Sequence, residues 1–492
     1  MSPKILLTLF ISFGFLCNTH AKESKKPNII FFLVDDMGWQ ETSVPFHTKR
    51  TKLNDRFVTP NMEKLASEGM KFTQAYASAI CSPTRVSLMT GASAARHRVS
   101  CWTLHKNKSS ASNHPTLKNP DWNVNGLVSK KGEEKSFASN TTLPMQLQKA
   151  GYHTIHAGKA HFGAFDTSGE NPSDLGFDVN IAGSAIGGPG SYHGDKNFSG
   201  KWRGAPAHWD VPGLEKYHGQ KINLTEAITR EAILAMDNAV KKEKKPFYLY
   251  MSHYSVHAPW EADRRYVDKY KKQGLKGLKA LQASMIEGMD KSLGDIMNKL
   301  KELKVDKNTI VVFMSDNGAP MQMDRNWPLR GHKFSPYEAG GRIPMIVKWP
   351  KKVKKASQCD TPVIIEDIYP TFLRMAKAKK YIPKKNIDGK SFIPLLKGKT
   401  PKSTRNMIWH YPTYYIVHPY SSIRRGDWKL IFRYHNQSVE LYNLKDDLSE
   451  DHNLARKNPK KAQELRLLLR KELIARNAQY PSSKKTGKVI QP

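Results

Sequence analysis

Asn28-Ile29-Ile30-Phe31-Phe32-Leu33-Val34 is a continuous apolar run, and Asp35-Asp36 follows it directly. A half-exposed strand would alternate apolar and polar residues, whereas this run places apolar side chains on both faces. Runs of this kind are typical of strands buried between two layers of helices in a mostly parallel sheet. The stretch therefore predicts a buried strand of an α/β protein.

Other segments repeat this pattern along the chain. Apolar runs occur at 247–251, 309–314 and 344–349, and helical patterns lie between them. The longest helical pattern extends over residues 278–303. Strands that alternate with helices predict an α/β fold, with a large, mostly parallel or mixed sheet flanked by helices.

The pattern changes in the last part of the chain, where short strands are predicted to pair in an antiparallel sheet. The expected elements are strands within 422–431 and 439–443, followed by an amphipathic helix at 460–478. We therefore predict a large N-terminal domain at 26–405 and a small C-terminal subdomain at 406–492, made of an antiparallel sheet and a helix. The polar tail after Gln479 is expected to fray.

Two pairs of oxygen-bearing side chains directly follow predicted strands. Asp35 and Asp36 follow the first run, and Asp316 and Asn317 follow the run at 309–314. Functional groups collect at the carboxyl ends of strands in open α/β sheets, so the two pairs are expected to meet. Their oxygens suit calcium, which takes about six to eight such ligands, whereas magnesium requires a stricter octahedron. Either pair alone is explained better as a helix N-cap.

A pentapeptide, Cys81-Ser82-Pro83-Thr84-Arg85, has the form Cys-x-Pro-x-Arg. Taken alone, it is equally typical of a buried cysteine at the start of a helix, with proline in the first turn. Three further polar segments are Gly158-Lys159-Ala160-His161-Phe162-Gly163, Ser252-His253-Tyr254-Ser255-Val256-His257-Ala258-Pro259 and Leu329-Arg330-Gly331-His332-Lys333-Phe334-Ser335-Pro336-Tyr337-Glu338-Ala339-Gly340-Gly341. In their order and composition, the four segments resemble the motifs of type I sulfatases of the alkaline-phosphatase-like superfamily.

This resemblance implies a modified residue and a metal. A maturation enzyme would oxidise Cys81 to formylglycine, whose hydrated diol is a better sulfatase nucleophile than a thiol. One calcium ion would be held by the modified residue 81 together with Asp35, Asp36, Asp316 and Asn317. The partners implied are thus a formylglycine-generating enzyme and a sulfate ester.

The resemblance also implies roles for the basic residues of these motifs. Lys159 and Lys333 would bind the sulfate oxygens as point charges, and Arg85 would brace the diol. His161 would bond the nucleophile's side of the sulfate group. His257, which stands before x-Pro as in the family, would protonate or hydrogen-bond the departing oxygen.

The mechanism implied has two stages. The diol at residue 81 attacks sulfur with Asp316 nearby as base, and the sugar alcohol leaves with a proton from His257. Elimination of the bound sulfate, assisted by His161, then restores the aldehyde. His253 is expected to lie behind His257 as a supporting residue.

The residues that select the substrate are expected in long loops at 101–140 and 166–220, which contain aromatic and basic residues. Arg203 and His208 are the sugar-binding candidates in these loops. Three segments resemble bacterial carbohydrate sulfatases that act on galactose or N-acetylgalactosamine sulfates: Arg96-His97-Arg98, Trp122-Asn123-Val124-Asn125-Gly126-Leu127 and Leu224-Thr225-Glu226-Ala227. A sulfated polysaccharide or oligosaccharide is therefore the expected substrate.

Composition bears on location and partners. Residues 1–21 of the 492 have the basic start, apolar stretch and small-residue end of a secretory signal. We therefore expect an exported protein, periplasmic or secreted, that is not integral to a membrane. The 79 Lys and Arg against 44 Asp and Glu give a net charge of +35, which attracts polyanions. Export favours a sulfated glycan over nucleic acid, and Cys101 and Cys359 remain as a candidate disulfide pair.

Two alternatives remain at this point. A phosphomonoesterase or phosphodiesterase of the same superfamily would use Thr or Ser as nucleophile with two zinc ions, and Cys81 speaks against it. A non-catalytic relative that binds sulfated glycans would have the fold without the reaction, and the intact motifs speak against that.

Overall fold

The computed structural model describes residues 26–321, 325–399 and 404–492. Its strands are β1 (Asn28–Val34), β2 (Met70–Tyr76), β3 (Leu117–Lys118), β4 (Leu127–Val128), β5 (Phe137–Ala138), β6 (His153–Gly158), β7 (Val179–Ile181), β8 (Phe247–Ser252), β9 (Thr309–Ser315), β10 (Arg342–Lys348), β11 (Ser357–Cys359), β12 (Val363–Ile364), β13 (Asn406–Tyr411), β14 (Tyr420–Arg425), β15 (Trp428–Arg433), β16 (Val439–Asn443) and β17 (Ser482–Ser483). Its helices are α1 (Lys52–Arg56), α2 (Pro60–Glu68), α3 (Cys81–Thr90), α4 (Ala94–His97), α5 (Leu143–Lys149), α6 (Leu224–Asn238), α7 (Val267–Lys272), α8 (Leu278–Glu302), α9 (Glu338–Gly341), α10 (Ile368–Met375), α11 (Ile393–Leu396) and α12 (Pro459–Ala475). The signal segment predicted at 1–21 lies outside the described residues.

The main sheet has the strand order β11-β2-β10-β9-β1-β8-β6-β7, and β12 also pairs with β2. β1 lies inside the sheet and is parallel to both of its neighbours, β8 and β9. β10 instead runs antiparallel to β9 and β2, although its apolar sequence resembles the parallel strands. The predicted fold class, a mostly parallel or mixed sheet flanked by helices, is confirmed.

The apolar run that forms β1 contributes to two separate cores. Ile29, Phe31 and Leu33 face one core, which contains residues of α3 and α10. Ile30 and Phe32 face the other core, which contains residues of α2, α6 and α8. Because successive side chains of a strand point to opposite faces, a strand covered by helices on both sides needs an unbroken apolar sequence.

The C-terminal sheet has the antiparallel order β13-β14-β15-β16. The segment predicted at 422–431 is a hairpin, in which Gly426 adopts a φ of 62° between β14 and β15. Leu469 and Leu473 of α12 pack on the sheet with Leu430 and Phe432. The predicted subdomain is thus present, and its boundary at 405/406, just before β13, stays a prediction.

The prediction of a frayed tail is wrong. β17 pairs antiparallel with β3, and the backbone oxygen of Gln479 lies 2.7 Å from Nε2 of His410. These backbone contacts hold a polar segment whose sequence alone shows no periodicity. Among the described residues, no helix is both long and apolar enough to span a membrane. Cys101 and Cys359 are free thiols in the structure, so they do not pair.

Candidate active site

The two predicted pairs of oxygen ligands meet at the carboxyl ends of β1 and β9. The strands are parallel neighbours with Val34 opposite Ser315, so the residues that follow them emerge side by side. Asp35, Asp36 and Asp316 have side-chain oxygens that lie within 4.8 Å of one another. The backbone N–H of Asp36 donates to Oδ1 of Asp316 over 3.2 Å. The three buried carboxylates therefore form one cluster.

Asn317 belongs to the same cluster, in which two buried side-chain oxygens lack a hydrogen-bond donor among the described residues. Its Nδ2 donates to Oδ1 of Asp36 over 2.7 Å. Oδ1 of Asn317 and Oδ1 of Asp35 are buried and have no hydrogen-bond partner among the described residues. Buried acceptors without a donor are costly, and a hard divalent cation would satisfy them. The residues present thus fit the calcium ion that the sequence implies.

Three cations balance the three carboxylates. The ion pairs join Asp35 to Lys159 at 2.5 Å, Asp36 to Lys333 at 2.7 Å and Asp316 to Arg85 at 2.8 Å. Arg85 is further fixed by donating to the backbone oxygen of Lys159 and to Oγ of Ser252, over 2.9 and 2.7 Å. Because the protein charges already cancel, a divalent cation would give the cluster an excess of two positive charges. That excess matches an anionic ester group.

Cys81 is the first residue of α3, and every residue of that helix is buried. Pro83 stands in the first turn, as the sequence predicted. Cys81 and Arg85 are one turn apart on the same face of the helix, and the charges of the carboxylate cluster act on both. Burial raises the pKa of the Cys81 thiol, and the charges of Lys159 and Lys333 act against that shift. An unmodified thiol here would be mostly protonated at neutral pH and therefore a weak nucleophile.

The carboxylates differ in pKa although they lie together. Burial, with a smaller contribution from Asp36, raises the pKa of Asp35 in spite of the nearby Lys159. Burial and the charge of Asp35 likewise raise the pKa of Asp316 to about 6. Burial would also raise the pKa of Asp36, but Lys333, His257 and Lys159 outweigh it and lower that pKa. Burial thus outweighs the neighbouring cations at Asp35 and Asp316, and a bound divalent cation would favour the charged forms of both carboxylates.

His161 lies beside the start of α3. Its Nε2 is 2.8 Å from the backbone oxygen of Thr103 and 3.1 Å from Oγ of Ser82. Because a carbonyl oxygen only accepts, Nε2 carries the proton, and Nδ1 is buried without a partner among the described residues. Burial, aided by the charge of Lys159, lowers the pKa of His161 well below its ordinary value. The imidazole is therefore neutral and offers a free lone pair.

His257 faces the carboxylate cluster from the connection after β8. Its Nδ1 donates to the backbone oxygen of Ala258 over 2.7 Å, and its Nε2 lies 3.8 Å from Oδ2 of Asp36. Burial lowers the pKa of His257 to about 3 against the opposing effect of Asp36. His253 lies elsewhere, with Nε2 bonded to Oγ of Ser292 and its ring against Phe32. The structure therefore brings His257 and not His253 to the cluster.

A glycine pair that the sequence analysis missed touches both histidines. A Cβ atom on Gly187 would lie 2.7 Å from Cε1 of His161, and one on Gly188 would lie 2.7 Å from Nδ1 of His257. Only glycine permits so close an approach of backbone to an imidazole ring. The run Gly187-Gly188-Pro189-Gly190 was a signal for close packing, but the sequence does not say against what.

The loop that contains this glycine pair is anchored to the His257 segment. The hydroxyl of Tyr192 donates to the backbone oxygens of Tyr254 and His257 over 2.7 and 2.9 Å. Glu261 accepts from Oγ of Ser191 and from the backbone N–H of Tyr192 over 2.6 and 2.7 Å. These buried contacts fix the glycine loop relative to His257.

The two sugar-binding candidates lie in the outer loops. Nε of Arg203 donates to the backbone oxygen of Gly190 over 3.3 Å, so this exposed side chain borders the glycine loop. His208 contacts the rings of His105 and Trp209, each with ring centroids 5.0 Å away. Neither residue makes a described contact with the carboxylate cluster.

Comparison with known proteins agrees with this geometry. Residues 27–378 match the family model described as Sulfatase, and residues 332–479 match the one described as N-sulphoglucosamine sulphohydrolase, C-terminal. A sulfatase of Formosa agariphila is 30% identical over 93% of this chain and 90% of its own length. An N-acetylgalactosamine-6-O-sulfatase of Bacteroides thetaiotaomicron is 26% identical over 92% of this chain and 94% of its own length.

Among solved structures, i-CgsB in complex with k-i-k-neocarrahexaose superimposes with a TM-score of 0.74. It is 26% identical in sequence, and the match covers 91% of this chain and 93% of that one. The family model covers well over half of the chain, from the first strand of the main sheet to the helix α10. The chain therefore belongs to the sulfatase family and is a sulfuric ester hydrolase.

Proposed function

We propose that the protein hydrolyses an O-sulfate ester on a galactose- or N-acetylgalactosamine-type unit of a sulfated polysaccharide or oligosaccharide. The observation that carries the proposal is the convergence of Cys81, three buried cations and four oxygen-bearing side chains at the ends of β1 and β9. In this proposal, Cys81 is converted to formylglycine by a maturation enzyme, and Asp35, Asp36, Asp316 and Asn317 hold one calcium ion.

The modified residue 81 and the calcium ion would supply two functions. Formylglycine at residue 81 would provide a diol nucleophile, and calcium would add Lewis acidity and positive charge beside it. The described residues fit both, since Cys81 begins α3 next to the cluster and Asp35 and Asn317 present unsatisfied oxygens.

The chain's own cations would bind and orient the ester. Lys159 and Lys333 are buried, and they pair with different carboxylates of the cluster, Asp35 and Asp36. Each ammonium group is positioned before substrate arrives, so it stabilises charge on sulfuryl oxygens without reorganisation. Arg85 holds Asp316 in place through its ion pair.

The two histidines would handle protons. The Nδ1–H of His257 is engaged by Ala258, so its Nε2 is the atom that faces the cluster. A sulfate ester beside Nε2 places negative charge there and favours the protonated ring, which can then serve the leaving alcohol. In His161, the unpartnered Nδ1 is the ring atom that would accept a proton.

The substrate class rests on the relatives and on charge. One relative is described as an N-acetylgalactosamine-6-O-sulfatase, and one similar solved structure is a complex with k-i-k-neocarrahexaose. The net charge of +35 favours polyanionic chains over small neutral esters. Export to the periplasm or the medium, where such glycans occur, is part of the proposal.

The phosphoesterase alternative has less support. A two-metal site needs a second set of His and acidic ligands. Among the described residues, only one cluster of three or more potential ligands of this kind is found, formed by Asp35, Asp36 and Asp316.

The test is sulfate release by the protein co-expressed with a maturation enzyme. The panel comprises galactans, carrageenan-type oligosaccharides, chondroitin and heparin fragments, aryl sulfates and a phosphate monoester, with Cys81→Ala as the control. Release from a galactose- or N-acetylgalactosamine-type glycan that is lost in the control supports the proposal. Preference for another glycan class, or for the phosphate ester, contradicts it.

A further inference from the structure

A cleft of about 700 Å³ opens beside the reaction centre and takes no part in the roles assigned above. One wall contains α1 and the residues just before it, which follow β1. The opposite wall is part of the connection after β9. Because β1 and β9 are parallel neighbours, both walls leave the same edge of the sheet that carries the carboxylate cluster. The residues used in the argument are Arg50, Lys52, Arg56, Met321, Asn326 and Trp327.

The described lining of the cleft carries positive charge. None of its described lining residues is acidic. Arg50 is offset by Asp55, whose Oδ1 lies 2.5 Å from its Nε. Lys52 and Arg56 have no carboxylate partner among the described residues, so their charges are available to a ligand. A concave surface with uncompensated cations concentrates anions.

The cleft also presents a large aromatic surface. Trp327 is 59% exposed and Met321 is 68% exposed, although both are large apolar side chains. An indole face costs little conformational entropy to present and gains from contact with the C–H groups of a flat ring. An aromatic face next to free cations suits a sugar ring that carries an anionic substituent.

The inner wall of the cleft is tied to the reaction centre. Nη2 of Arg325 donates to the backbone oxygen of Asp36 over 2.8 Å. Nδ2 of Asn326 lies 3.4 Å from the backbone oxygen of Gly331, two residues before Lys333. One short segment therefore contains both Trp327 and Lys333, and the side chain of Arg325 joins the cleft lining to Asp36.

We infer that this cleft is a subsite for a second, anionic sugar of the glycan whose sulfate is removed at the reaction centre. The inference rests on the proposed function and deepens it, since it makes the protein prefer a sulfated oligosaccharide over a single sulfated sugar. Lys52 and Arg56 bind the sulfate or carboxylate of that second unit, and Trp327 contacts its ring.

The test compares the matured wild type with Lys52→Glu and Trp327→Ala on two substrates, a sulfated carrageenan-type tetrasaccharide and a singly sulfated galactose. Each variant is expected to raise KM for the tetrasaccharide about 5- to 20-fold, while kcat and the hydrolysis of the monosaccharide change less than about twofold. Trp327→Phe, which keeps an aromatic face, should recover most of the loss. Lys354→Glu makes the same charge change at an exposed residue that does not line the cleft, and it should have no such effect.

The inference is overturned if both substrates lose activity equally, if the tetrasaccharide is unaffected, or if Lys354→Glu acts as strongly as Lys52→Glu. Calorimetric binding of the tetrasaccharide to Cys81→Ala protein separates this inference from the proposed function. If no ester is hydrolysed but Lys52→Glu still weakens that binding, the subsite stands and the proposed function fails. If binding is absent, or unchanged by Lys52→Glu, the subsite is refuted.

Discussion

The reaction centre and the cleft beside it are built from the same two strand ends but differ in how their charges are held. At the centre, Asp35, Asp36 and Asp316 are buried and each touches a buried cation. In the cleft, Lys52 has no described partner and Trp327 is largely exposed. Chemistry that must occur identically on every substrate needs preorganised groups, whereas recognition of a variable chain can rely on groups that water also reaches.

The largest effect that would sharpen this contrast is expected from Lys333→Ala. The change removes a buried cation from Asp36 and from the sulfate position, so kcat/KM should fall about 10²- to 10³-fold. Steady-state kinetics on the best glycan substrate measures it. Lys52→Ala in the cleft is the matched lysine, and an equal loss there would contradict the distinction between the two regions.

A smaller loss is expected from Gly188→Ala. The new methyl group would meet Nδ1 of His257 at 2.7 Å, so the ring or the loop must shift. We expect kcat to fall about tenfold to a hundredfold, since small displacements of catalytic groups are costly. In Gly132→Ala, a Cβ meets nothing within 4 Å but the φ of 90° strains the backbone, so this variant controls for a strained glycine replacement that does not touch His257. Unchanged kcat in Gly188→Ala would show that the glycine loop does not position His257.

Calcium is expected to stabilise the folded chain by binding at the reaction centre and not in the cleft. At about 100 times its Kd, a cation that binds only the folded chain adds roughly 2.7 kcal/mol to the free energy of unfolding. Thermal unfolding of Cys81→Ala protein, with calcium and with a chelator, measures this without any turnover. Asp36→Asn should abolish the shift, and Lys52→Glu should leave it intact. A calcium shift that survives Asp36→Asn would place the metal elsewhere.

The smallest effect concerns the stability of the fold and not the reaction. Burial, followed by the charges of Asp367 and Asp388, raises the pKa of Glu366 to about 8 from its ordinary 4.5. The folded chain therefore holds this proton more tightly than the unfolded chain, so stability falls as pH rises from about 4.5 to 8. The slope in that window is at most about 1.4 kcal/mol per pH unit.

Glu366→Gln should remove this loss. Urea unfolding should give similar stability for variant and wild type at pH 4 and a more stable variant at pH 9. A variant that is equally or less stable at pH 9 would show that Glu366 is not buried as a neutral acid.

The sequence predicted which side chains meet at the ends of β1 and β9 far better than it predicted the loops around them. The apolar runs at 28–34 and 309–314 determine which strands are buried, and the polar residues after them must then emerge at the same sheet edge. His257 and Lys333 were found because their motifs place them beside proline and glycine in fixed order. The antiparallel direction of β10 was not predictable, since a strand buried on both faces has the same apolar sequence in either direction.

The loops escaped prediction for a different reason. Gly187 and Gly188 are required only because two imidazole rings from distant segments lie against them, a contact that no local pattern encodes. The cleft likewise forms from residues near 50 and near 327, each unremarkable within its own segment. The C-terminal tail was expected to fray, and its pairing with Leu117–Lys118 depends on backbone groups that composition does not reveal.

The central claim is that residue 81, once converted to formylglycine, is the nucleophile for sulfate ester hydrolysis. The most direct measurement varies the converted fraction, by expressing the protein with graded amounts of maturation enzyme, and determines that fraction by peptide mass. The account predicts that the rate of sulfate release rises in proportion to the formylglycine content and vanishes without it. Sulfate release that is equally fast from protein with an unmodified Cys81 would contradict the account.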